Sequence, residues 1–190
     1  MKFNKNSFEI IFFARAGQGA KSAAEVLAQA SVLEGKYIQA FPYYGPQRSG
    51  APTRSYVRIS GDIIRSHEPI IDPDLVVVMD DTLLTTQDVT HNLDEKETLI
   101  VNTTKSKEEI RSLLDGFKGN IRTIDASNIA IETVGQNKPN GVILGKVVKV
   151  SEIVDIENLF QTFKDIFEKK IGKDLTKKNI LAIEKGFDSL

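Results

Sequence analysis

The sequence predicts an α/β fold: a single three-layer domain over residues 1–190, with a mostly parallel or mixed sheet flanked by helices and a helical C-terminal region. Two observations carry that expectation. Short runs that are apolar at nearly every position, FEIIFF at residues 8–13 and LVVVM at 75–79, look like strands buried on both faces. Between and after them the apolar period lengthens to that of a helix, with Gly and Pro marking the changes. With 41% of its 190 residues hydrophobic and 27% charged, the chain can bury a real core, and one domain is the expectation at this length.

The first strand, 8–13, stops at Ala14-Arg15-Ala16-Gly17-Gln18-Gly19. From Ala20 onward Ala23, Ala24, Leu27, Ala30 and Ser31 recur at helical spacing, a narrow stripe of small residues suited to close packing on a sheet, and Gly35 ends that helix. Residues 37–41 and 54–59 alternate as strands do, separated by a loop dense in Pro42, Gly45, Pro46, Gly50 and Pro52. Residues 75–79 and 98–101 read as buried strands, 106–114 as a helix and 121–124 as a strand. Beyond Asp125 the pattern turns helical: 129–134, then 142–150, then Ile156, Leu159, Phe160, Phe163 and Phe167 on one face, and a last helix carrying Leu175, Leu181, Ala182 and Phe187. GQNKPNG at 135–141 is a clear break, and the Lys-rich stretch 164–185, balanced by Asp and Glu, reads as a solvated face.

Composition excludes several chemistries. Twenty-five Lys plus Arg against 26 Asp plus Glu leave a net charge of −1, so no global field points to nucleic acid or a membrane surface. The chain has no cysteine, which rules out a disulfide, a thiolate zinc site, an iron–sulfur cluster on its own ligands and a Cys nucleophile. His67 and His91 leave little for metal binding. Residues 1–6 lack the apolar run of an export signal, and no apolar stretch approaches the ~20 residues that span a bilayer, so a cytoplasmic location is expected.

Three places could carry chemistry. A glycine-bearing turn between a buried strand and a helix offers free backbone N–H groups and the positive end of a helix to a phosphate. Gly17, Gln18 and Gly19 form such a turn, with Lys21 and Ser22 as further donors; neither a full G-x-G-x-x-G nor a G-x-x-x-x-G-K-[ST] is present, so a plain tight turn stands beside phosphate contact. The loop 43–52 concentrates rigid turns with Tyr44, Gln47 and Arg48, and Arg54 follows it. Arg48 could clamp a phosphate or carboxylate, but Tyr and Arg equally mark a protein–protein contact. Asp80 and Asp81 end the LVVVM strand, where a phospho-acceptor with Mg²⁺ competes with the plainer reading that one aspartate caps a helix starting at Thr82. His67 and Glu68, without a nearby nucleophile, read as surface structure.

With the glycine turn and the Pro/Gly loop both in view, the sequence resembles the gamma subunits of 2-oxoacid:ferredoxin oxidoreductases, and most closely their pyruvate branch. The matching stretches are ARAGQGAKSAAEVLAQAS (14–31), EGKYIQAFPYYGPQRSGAP (34–52), VRIS (57–60) and PDLVVVMDDTLL (73–84), with DASNIAIE (125–132), Asn140, Leu144-Gly145, Asn179, Ala182 and Gly186 as later marks. The resemblance implies a noncatalytic subunit of an enzyme that makes acetyl-CoA and CO2 from pyruvate and coenzyme A and passes electrons to ferredoxin. It implies alpha, beta and delta partner chains, with thiamine diphosphate, Mg²⁺ and the 4Fe–4S clusters held by partners, and no nucleic-acid or membrane partner. It places coenzyme A at Gly17, Gln18 and Gly19, with Lys21 and Ser22 beside them, and turns the loop with Tyr44, Gln47, Arg48 and Arg54 towards the partner chains. The family motif usually reads G-x-G-G-Q-G, whereas Ala14 and Ala16 stand at its first and second glycines here. Alternatives are another 2-oxoacid branch of the same family, a free-standing nucleotide-binding protein, and a purely structural interface subunit.

Overall fold

The architecture comes from a computed structural model, which describes residues 6–44 and 50–189 and, of Tyr44, the backbone alone. Six strands form one mixed sheet in the order β2-β3-β1-β4-β5-β6. β1 (Ser7–Arg15), β4 (Leu75–Val78), β5 (Thr98–Asn102) and β6 (Asn120–Ile124) run parallel, and β3 (Pro52–Ser60) and β2 (Tyr37–Tyr44) add an antiparallel hairpin beside β1. The helices are α1 (Ala20–Val32), α2 (Lys107–Leu113), α3 (Ala126–Val134), α4 (Asn140–Ser151), α5 (Ile156–Ile171) and α6 (Lys173–Asp188), with a 3₁₀ turn at Asp81–Thr85. No helix among the described residues is long and apolar enough to cross a membrane.

The apolar strands are buried on both faces, as their composition requires. Ile10, Phe12, Ala14, Leu75, Val77 and Ile100 pack into the cluster shared with α1 and α3 to α6. Their neighbours Ile11, Phe13, Val76, Val78, Leu99 and Val101 pack the other way, against Leu83 and Leu84 of the 3₁₀ turn, Val89, Ile110 of α2 and Phe117. The three layers are thus unequal: five helices cover one face, while the other carries α2, the 3₁₀ turn and connecting segments. α4 is apolar around most of its circumference and is buried from Gly141 to Val148, as such a helix must be.

The observed elements depart from the expectation in three places. The strand expected at 37–41 continues past Pro42 to Tyr44. Proline is tolerated there because β2 is an edge strand, paired with β3 alone. The helix expected from residue 129 starts at Ala126, where the Asp125 carboxylate accepts the Asn128 N–H at 3.1 Å. The helix expected at Thr82 is a single 3₁₀ turn, and Asp80 caps it as expected, accepting the Thr82 N–H at 3.1 Å.

Candidate functional site

The connections decide where a site can form. After β1 the chain crosses into α1 on the five-helix face, and after the neighbouring strand β4 it turns into the 3₁₀ segment on the other. The carboxyl ends of these paired strands therefore diverge and open a crevice, the position at which open α/β sheets bind ligands. The glycine turn and Asp80 stand on its two sides.

Gly17 and Gly19 both have left-handed backbone, with φ of 103° and 85°. A Cβ on Gly17 would meet open space, so that glycine answers to conformation alone; one on Gly19 would also lie 3.0 Å from the Asn140 side chain. Ala14 and Ala16 are absent from the positive-φ positions, so alanine costs no backbone strain there.

Hydrogen bonds shape the turn from inside and across the crevice. The Gln18 N–H donates to the Arg15 carbonyl at 3.1 Å, and the Gln18 Oε1 accepts the Arg15 N–H at 2.7 Å. The other end of the same amide, Nε2, donates to Asp80 Oδ2 at 3.0 Å. Arg15 Nε lies 3.4 Å from that carboxylate oxygen, while its Nη2 donates to Thr82 Oγ1 at 2.7 Å and its Nη1 to the Gly50 carbonyl at 3.2 Å. The adjacent Asp81 faces elsewhere, pairing with Lys105 and accepting from Thr103 Oγ1 at 2.8 Å. Burial pushes the Asp81 carboxyl up, but the Lys105 and Thr103 hydrogen bonds outweigh it and hold the group below its ordinary range. The two aspartates are committed to different partners, and among the described residues no group of three His, Asp or Glu is placed to hold a metal ion.

Gly17, Gln18, Gly19 and Ser22 line a cavity of about 250 Å³ together with Lys138 and Asn140, against an apolar wall that includes Phe163 and Phe167. The N-terminus of α1 meets this space, as does that of α4 through Asn140 and that of α6 through Leu175. None of these three helices has a side-chain cap, and the first turns of α1 and α4 carry no acidic residue. By contrast α2, α3 and α5 are capped by Ser106, Asp125 and Asp155. The first turn of α6 carries Asp174, so the uncapped N-termini of α1 and α4 beside a lysine are the ends that suit an anion.

The remaining candidates from the sequence are distributed differently. Lys21 lines a separate groove with Glu25, Phe41 and Ser55. Arg54 lies on the thin face, its guanidinium 4.8 Å from the Phe13 ring centroid and 3.4 Å from Gln87 Oε1. The side chain of Tyr44, and Gln47 and Arg48 altogether, lie outside the described residues. His67 sits towards the opposite end of the strands, its Nδ1 3.1 Å from Gln39 Nε2. Sequence reasoning missed Arg15 as a partner of Asp80 and missed Lys138 at the cavity. Asp80 was legible as a cap, but its contact with Gln18 spans 62 residues and leaves no local spacing to read.

Comparison with known proteins agrees on the kind of chain. The family model for pyruvate ferredoxin/flavodoxin oxidoreductase matches residues 9–189. The pyruvate/ketoisovalerate oxidoreductases common subunit gamma of Thermococcus litoralis is 45% identical over 180 residues, covering 95% of each chain. The crystal structure of pyruvate oxidoreductase subunit PORC from Thermotoga maritima superposes with a TM-score of 0.87 at 39% identity, covering 97% of both chains. The fold also recurs within a longer chain, the 2-oxoglutarate:ferredoxin oxidoreductase of Magnetococcus marinus solved with 2-oxoglutarate, coenzyme A and succinyl-CoA bound. There the TM-score is 0.78, the identity 19%, and the match covers 96% of this chain but 31% of the other, a likeness of fold alone.

Proposed function

The chain belongs to the pyruvate ferredoxin/flavodoxin oxidoreductase family, and from that premise we propose that it is the gamma subunit of a multi-subunit enzyme converting pyruvate and coenzyme A to acetyl-CoA and CO2, with two electrons leaving to ferredoxin. Its role in the complex is to hold the phosphate-bearing part of coenzyme A and help close the active site. Coenzyme A supplies the thiol that accepts the acyl group; this chain supplies binding and position.

One observation carries the reading: the Gly17–Gly19 turn opens onto a cavity lined by residues at the uncapped, acid-free N-termini of α1 and α4 and by Lys138. Backbone N–H groups and a lysine are what a phosphate needs, and the Phe163 and Phe167 wall suits a less polar portion of the same ligand. At about 250 Å³ the cavity falls below the roughly 300–1,000 Å³ typical of a complete small-ligand site, so most of a molecule as large as coenzyme A would lie outside it, against partner chains. The donor set fits that division. A 4Fe–4S cluster needs thiolates, and the chain has no cysteine, so any cluster falls to partner chains; thiamine diphosphate and Mg²⁺ are assigned to the partners on the family resemblance. The expected cytoplasmic location is part of the same reading.

Reconstitution tests the reading. The isolated chain is expected to show no turnover, and activity should return when alpha, beta and delta are added. Within that complex Gly19→Ala, whose new Cβ would meet Asn140 at 3.0 Å and whose φ is 85°, should raise the Michaelis constant for coenzyme A, as should Lys138→Ala. An unchanged coenzyme A constant in both variants would sink the contact.

A further inference from the structure

We propose that Asp80 and Arg15 are positioning residues for the glycine turn, acting through the Gln18 side chain, which serves as a strut across the crevice. The inference rests on the coenzyme A reading for its functional consequence, but its structural content stands on the geometry of the turn.

Two left-handed glycines give the turn its shape and nothing intrinsic to keep it. Glycine has the largest conformational freedom to lose, and no neighbour of Gly17 comes within 4 Å of where a Cβ would be. The shape is therefore held by hydrogen bonds, and those run through Gln18. Its amide is used at both ends, accepting from the Arg15 N–H at 2.7 Å and donating to Asp80 Oδ2 at 3.0 Å. With both ends engaged, the side chain braces the backbone donors and is not itself the primary ligand contact. Asp80 is in turn fixed by the Thr82 N–H at 3.1 Å and by the Arg15 guanidinium at 3.4 Å. Arg15 extends the brace away from the crevice to the β3 side of β1 through the Gly50 carbonyl at 3.2 Å, and the neighbouring Ala16 N–H reaches the Ala51 carbonyl at 2.9 Å. The carboxyl end of β4, the glycine turn and the start of β3 are thus tied into one unit, so the free N–H groups of Gly19 and the first turn of α1 stay aimed at the cavity before a ligand arrives. Preorganised donors of this kind cost a ligand less to engage.

Asp80→Ser separates this role from simple capping, because serine still caps the 3₁₀ turn but is too short to reach Gln18 and brings no charge to Arg15. Gln18→Ala cuts the same strut from the other end and leaves the Asp80 cap intact, which guards against an Asp80 variant that fails to fold. Two readouts are taken in the assembled complex: hydrogen exchange at the hydrogen-bonded amides of Ala16 and residue 18, and Michaelis constants for coenzyme A and for the 2-oxoacid. The expected result is faster exchange at those amides. The coenzyme A constant should rise roughly three- to tenfold, the scale of one ordinary intramolecular hydrogen bond, while the 2-oxoacid constant holds. Unchanged exchange overturns the proposal. So does faster exchange with an unmoved coenzyme A constant when Gly19→Ala does move it, an outcome that leaves the coenzyme A reading standing. If exchange quickens and neither variant moves the coenzyme A constant, the strut is upheld and it is the coenzyme A reading that fails.

Discussion

Glycines that look alike in the sequence do different work in this protein. A Cβ on Gly145 would fall 1.9 Å from the Ile183 carbonyl oxygen, and one on Gly186 would fall 2.0 Å from the Val142 carbonyl oxygen, so α4 and α6 touch backbone to backbone. Gly116 needs its glycine only for a φ of 70°, with open space where a Cβ would be. The ordering that follows is testable by urea unfolding. Gly145→Ala and Gly186→Ala must force the helices apart and are expected to cost roughly 3 kcal/mol each, near the upper end for overpacking. Gly116→Ala should cost about 1 kcal/mol, the strain of a left-handed alanine. Equal losses at all three positions would show that α4 and α6 can part without penalty. Neither tight glycine announces this in the sequence, because the approach joins residues about forty apart. Gly17 and Gly19 were legible, since a strand–glycine–helix pattern is local, whereas Asp80 as the far anchor of that turn was not.

Elements were read best where one physical demand governs a whole run. FEIIFF and LVVVM must be strands because only a strand between two layers buries every side chain of a short run, and β1 and β4 are such strands. Strand β2 was underread because Pro42 suggests a stop, a rule that fails at a sheet edge. The loop between β4 and β5 also hid how Asp81 joins the two strand ends through Thr103 and Lys105. That link has a pH signature. In the fold the Lys105 and Thr103 hydrogen bonds outweigh burial and hold the Asp81 carboxyl below the ordinary aspartate range, so the ionised form favours the fold. Its contribution is complete above about pH 4 and is lost as the pH falls through the lowered folded value. Asp81→Asn is therefore expected to lower the melting temperature at pH 7, by a margin that shrinks as the pH falls below about 4. A difference that persists undiminished at pH 3 would assign the loss to packing instead of charge.

At the scale of the whole molecule the sheet is covered unevenly, and the thinly covered side gathers several exposed large apolar groups around neighbouring hollows. Tyr43 is 55% exposed, Ile63 62% and Ile71 55%. Tyr43 and Ile71 line one hollow of about 370 Å³ with Arg54 and Tyr56, and Ile63 and Ile71 line a neighbouring one of about 410 Å³. A free monomer gains nothing from presenting these side chains to water, but a subunit of an oxidoreductase complex has partners to cover them. The position also continues the Pro/Gly loop, which leaves β2 directly after Tyr43 and Tyr44 and returns into β3 at Pro52. Tyr43→Ser and Ile71→Ser together remove apolar surface that packs little inside the fold, so the melting temperature of the isolated chain should move by no more than a few degrees. Co-purification with the partner subunits should weaken at least tenfold, since exposed aromatic and aliphatic groups at the centre of an interface carry much of its energy. The control is the solvated lysine face: Lys177→Ser and Lys178→Ser alter exposed positions on α6 and should leave assembly intact. Assembly that tolerates the first pair and fails with the second would turn the molecule around, putting the partners on the helical side and leaving the thin face to solvent.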